Sequence, residues 1–151
     1  MNPQFHLVAV NVISGQHFPC IVTASEPEET CQVVVSIDDE TIASGQGYDF
    51  ELALQLLRSE LEANGLHLLC NRYRRNAYVS SLSRQMSNGL SCYLVRPRRP
   101  VDPGQTVDCL GAADESDVVS REEADAYIAK YLSRPPVLLL VKLMWRNWRD
   151  R

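Results

Sequence analysis

The chain has 151 residues, of which 45% are hydrophobic and 23% charged, with a formal net charge of −4. Those values exclude a disordered or collagen-like chain, and the length fits a single domain. The longest apolar stretch, residues 137–145, is interrupted by Lys142 and falls well below the ~18 residues of a membrane-spanning helix, so no span is expected. The opening MNPQFHLVAV has neither a basic start nor a long apolar run, so no secretory signal is expected.

Strand signals fill the first third. Val8, Val10 and Val12 alternate within residues 6–12, and 20–23 is a second β-prone run. In 31–37, Cys31, Val33, Val35 and Ile37 share one face, with Gln32 and Ser36 opposite. Period two with β-branched residues predicts half-buried strands. Ser14-Gly15-Gln16 predicts a turn, and Ser25-Glu26-Pro27-Glu28-Glu29 an exposed acidic loop. A short fourth strand is expected over 40–43, ahead of Gly45-Gln46-Gly47.

The clearest helix spans 49–64. Asp49 suits the N-cap, and Glu51 the positive end of the helix dipole. Phe50, Ala53, Leu54, Leu57 and Leu61 form one stripe, widened by Leu52 and Leu56, so the helix should lie flat on a sheet. Asn64-Gly65 stops it. Further strands are expected over 66–70, 77–80 and 90–95, with an edge strand over 107–110. A basic connection, Asn71 to Asn76, and a serine-rich loop, Ser81 to Gly89, lie between them. The three Pro and three Arg between Arg96 and Gly104 predict an extended, exposed connection. Ser120 and Glu123 form a capping box for a second helix over 120–133, which Pro135-Pro136 ends. The tail 137–148 fits a strand or a helix. Strands adjoin strands, so the expected fold is α+β: a mainly antiparallel sheet with helix 49–64 on one face and a C-terminal helix over 120–133.

Charge is unevenly distributed. Residues 1–50 hold no Lys or Arg and seven acids, among them Glu26, Glu28, Glu29, Asp38, Asp39 and Glu40. Residues 51–100 hold eight Arg against three Glu. Such polarity either steers a charged partner or is neutralised on folding. The cluster Arg72, Arg74, Arg75 and Arg84 could face a phosphate or a small ligand. It could equally pair with the acidic first third. A pI near 5.3 argues against nucleic acid.

No metal or cofactor motif is present. The five cysteines contain no CxxC pair, and the three histidines complete no zinc spacing, so reduced core thiols in a cytoplasmic protein are expected. Asp38, Asp39 and Glu40 lack a calcium-loop spacing. Ser80 to Ser83 with His67 as base invites a hydrolase reading, but no G-x-S-x-G elbow accompanies them. Trp145, Trp148, Arg146 and Arg149 are interface-anchor types, with core packing the plainer role for the apolar part of the tail.

One segment carries a resemblance. Leu57 to Glu62, Leu68 to Cys70, Arg75 to Tyr78, Ser83 to Met86 and Gly89 to Val95 follow one another over about residues 48–95. That succession resembles small bacterial proteins associated with polymorphic toxin loci. The resemblance implies an immunity protein: a non-catalytic cytoplasmic inhibitor that occludes a cognate, basic toxin. The acids at 26–29 and 38–40 would then be the steering rim.

Overall fold

The computed structural model describes residues 2–102 and 104–133, together with Trp145 and Trp148. Apart from those two tryptophans, the ambiguous segment 137–148 lies outside the described residues. Strands β1 (Gln4–Asn11), β2 (His17–Ser25), β3 (Cys31–Ile37) and β4 (Glu40–Gly47) form an antiparallel meander. Helix α1 (Phe50–Ala63) follows, and β5 (Leu66–Leu68) then pairs antiparallel with β1, giving the order β4-β3-β2-β1-β5. A second antiparallel sheet of three short strands, β6 (Ala77–Tyr78), β7 (Ser91–Leu94) and β8 (Thr106–Asp108), is built with helix α2 (Ser81–Ser87) between its first two strands. Helix α3 (Arg121–Ser133) comes last among the described elements. The fold is α+β, as the order of signals predicts.

Alternation along the strands decides which face is covered. Leu7, Ala9, Cys20, Val22, Val33, Val35 and Ala43 are buried on one face of the large sheet. Helix α1 packs on that face and buries Phe50, Ala53, Leu54, Leu57 and Leu61. Each such leucine contributes about 1.5–3 kcal/mol. The helix starts where predicted, with the Leu52 N–H donating to Asp49 Oδ1 at 2.9 Å. It stops at Asn64-Gly65, where Gly65 takes φ +71°. Contact with β4 is very close: a Cβ on Gly45 would stand 1.9 Å from the Ala53 carbonyl oxygen and 2.7 Å from the Leu57 nitrogen. Only glycine lets the helix backbone rest on the strand there.

Several sequence expectations are corrected. Strand β4 runs on through Gly45 to Gly47, because its glycines form the bed for α1. The serine-rich segment is helical: Ser80 Oγ accepts from the Ser83 N–H at 3.1 Å as an N-cap, and Asn88 closes α2 in the left-handed region. Leu56 is exposed and does not widen the core stripe. Only half of the capping box at 120–123 forms. The Glu123 N–H donates to Ser120 Oγ, while the Glu123 carboxylate reaches Arg75 instead.

Candidate interaction surface

The side of α1 turned from the large sheet carries polar groups that packing encloses. Glu51 and Arg72 form a bidentate pair, with Arg72 Nε donating to Glu51 Oε2 at 2.8 Å and Arg72 Nη2 to Oε1 at 2.6 Å. Their side chains are 11% and 13% exposed. The Glu51 contact holds the Arg72 pKa above its ordinary value despite the opposing effect of burial. Arg84 Nε donates to Asp49 Oδ2 at 2.7 Å while the guanidinium lies over the Tyr48 ring. Arg74 pairs with Asp117 at 3.2 Å and Arg75 with Glu123 at 2.8 Å. The four arginines therefore converge on no single ligand position. Each faces its own carboxylate, and only Asp49 of those partners comes from the acidic first third.

Arg58 belongs to no motif in the sequence. It is buried, donates from Nη2 to the carbonyls of Tyr73 and Val119 at 3.3 and 2.8 Å, and stacks 4.8 Å from the Tyr73 ring centroid. Burial lowers its pKa. The available signal was its place between Leu54 and Leu61, on the same side of the helix.

The acids at 26–29 and 38–40 are placed differently. All six are exposed, and none joins an ion pair among the described residues. Glu26 Oε1 accepts only from Asn88 Nδ2, at 3.3 Å. The two groups do not form one patch. They sit at opposite ends of β3, about 20 Å apart at 3.3 Å per residue. Glu28, Glu29, Asp38 and Asp39 take positive φ values of 48°, 67°, 51° and 65°. Asp38-Asp39 fills a two-residue hairpin turn where Asn-Gly is the favoured pair. Asp39, at the position where glycine is favoured, costs about 1 kcal/mol.

Between these poles lies the second face of the large sheet. Register puts Val8, Pro19, Ile21, Thr23 and Val34 on it, edged by His6, Gln32 and Ser36. Val8, Ile21, Thr23 and Val34 are only half-buried, and Pro19 is exposed. At the β5 side, His17 and Glu115 meet at 2.7 Å, so the segment around Glu115 closes that flank. Each pole also has an exposed apolar side chain at its end of the sheet. Tyr48 (71% exposed) lies beyond β4 near the 26–29 loop, and Ile13 (91% exposed) tips the β1–β2 turn near Asp38-Asp39.

The hydrolase constellation does not assemble. His67 lies among Arg58, Leu61 and Glu62, toward the C-terminal end of α1. Ser80 and Ser83 bond each other beside the α1 N-terminus, where Arg84 holds Asp49. His67 titrates below its ordinary value, chiefly because it is partly buried. No group of three or more metal-ligating side chains occurs among the described residues. All five cysteines are free and buried. Burial pushes the Cys20 and Cys70 thiols up to about 11 and about 12, which keeps them as unreactive thiols.

Comparison of the chain with protein-family models and with curated proteins finds no match.

Proposed function

We propose that this protein is a non-catalytic binding protein that covers a basic protein partner with the second face of its large sheet. Within that class we favour an immunity protein that neutralises a cognate bacterial toxin in the cytoplasm. The observation that carries the reading is the contrast in charge pairing. The arginines Arg72, Arg74, Arg75 and Arg84 each face a carboxylate, while the six acids of the two turns join no ion pair among the described residues. An apolar, half-buried sheet centre with charged ends has the anatomy of a protein interface: a dry core and a polar rim. Ile13 supplies an exposed anchor whose burial is worth about 1.5–3 kcal/mol. Two acidic poles about 20 Å apart orient a basic partner as well as attract it, and that speeds association.

The toxin assignment draws on the sequence resemblance over residues 48–95, and the sheet supports only the broader binding role. Co-expression with the product of the adjacent gene tests both. The expected result is a complex and protection from killing, with association slowed about tenfold or more by combined Glu28→Lys and Asp39→Lys at low salt. Absence of a complex at every salt concentration, with no protection, refutes the assignment. Complex formation that ignores both charge reversals refutes the acidic surface.

A further inference from the structure

Residues 96–102, in the connection between β7 and β8, build a groove on the small sheet that the acidic surface does not use. It is open to solvent, spans about 1400 Å³ and is lined by Arg74, Arg96, Arg98 and Arg99, with Asp102 the one acidic lining residue among the described residues. Asp102 Oδ1 is already held by the Gly104 N–H at 2.9 Å. Among the described residues, Arg96, Arg98 and Arg99 join no ion pair, and all three are exposed. Arg74 is already engaged, giving Nη2 to Asp117 and Nη1 to Asn71 Oδ1, and its Nε is buried without a partner.

The three exposed arginines are presented by a fixed turn. The Arg99 N–H donates to the Arg96 carbonyl at 3.2 Å, with Pro97 and Arg98 as the central residues. Arg98 takes φ +58°, the position where such a turn favours glycine or asparagine. The Tyr131 hydroxyl from α3 donates to the Arg99 carbonyl at 2.7 Å and pins the turn against the body. An arginine held in a conformation it disfavours, beside two other exposed arginines, needs a reason in its side chain.

From this geometry we infer that the groove binds a compact oligophosphate. Guanidinium forks match phosphate oxygens in pairs. Three exposed ones, against one carboxylate already held by a backbone N–H, suit a ligand carrying several negative charges in a short span. A long nucleic acid fits less well: the chain is acidic overall, and Tyr93, the groove's aromatic, is 8% exposed and offers no stacking face. The same chemistry is found in inorganic polyphosphate and in the phosphate arm of a nucleoside triphosphate.

Titration calorimetry on the full chain at about 0.15 M salt with tripolyphosphate, ATP and a single-stranded oligonucleotide tests this. Saturable binding of tripolyphosphate and ATP alike supports a site for bare oligophosphate. Binding of ATP alone supports the nucleotide as the source. Arg98→Gly is the decisive variant, because glycine relieves the left-handed backbone while removing the guanidinium. It should keep or raise Tm and weaken binding about tenfold, the loss of one charge-assisted contact. Arg75→Gln, outside the groove, should leave affinity within about twofold. The inference is overturned if neither phosphate binds, if the oligonucleotide binds in their place, or if Arg98→Gly leaves affinity unchanged.

Discussion

Replacing Arg72 with Met leaves the Glu51 carboxylate 11% exposed and without its two charged donors, which now sit 2.6 and 2.8 Å away. Glu51→Leu leaves the guanidinium in the mirror-image position. Breaking a buried pair from one side costs about 3–5 kcal/mol, because the remaining charge cannot regain its water. For a chain of this size that lowers Tm by roughly 10 °C, and it removes a large part of a typical 5–15 kcal/mol total. Removing both charges behaves differently. Glu51→Leu with Arg72→Met leaves no orphan ion between α1 and the small sheet, so the double variant should lie well above the sum of the single losses, with a coupling of about 2 kcal/mol or more. Urea unfolding of wild type, both single variants and the double variant measures the cycle through the midpoints, provided the m-values agree. Single losses below about 1 kcal/mol, the range of an exposed pair, would refute the placement of Arg72 as a structural residue. Additive losses would refute the pair itself.

Gly45→Ala should lose about 3 kcal/mol or more, or fail to fold, since the new methyl falls on the Ala53 carbonyl; thermal unfolding reads this directly. Leu56→Gln should change stability by no more than about 0.5 kcal/mol by urea titration, in contrast to the neighbouring core leucines. Tyr73→Phe should cost about 1–3 kcal/mol in urea unfolding, because the buried Leu54 carbonyl loses the Tyr73 hydroxyl 2.5 Å away. Acid should destabilise the fold through Asp49. Burial alone would raise its pKa, but the Arg84 and Leu52 hydrogen bonds outweigh it and hold the carboxyl below its ordinary value. Its contribution is therefore full above the unfolded value near pH 3.9 and disappears as pH falls through the lower folded value. Asp49→Asn, which can still cap α1, should flatten that part of the stability–pH curve as followed by urea unfolding between about pH 2 and pH 5.

Features set by local spacing were legible in the amino-acid order. Alternating valines in 31–37 place β3, Asp49 caps α1, and Asn64-Gly65 ends it, because each signal acts within a few residues of itself. Partnership across the chain was not legible. The 26–29 and 38–40 acids look like one patch on paper, yet β3 holds them apart at its two ends. The arginines at 72–84 look like one cluster, yet α1, the turn at Glu115–Asp117 and α3 each take one or more of them. The basic groove likewise needs Arg74 from one segment beside the 96–99 turn from another.

The chain alone determined an α+β protein with an acidic beginning, a basic middle and one amphipathic helix. Those follow from composition and from periods of two and 3.6 residues, which need no knowledge of distant neighbours. The tertiary structure decided which charges are neutralised and which remain for a partner. Coulombic pairing depends on separation in space and on exclusion of water, and both are fixed only when α1 is enclosed between the large sheet and the segment that follows it.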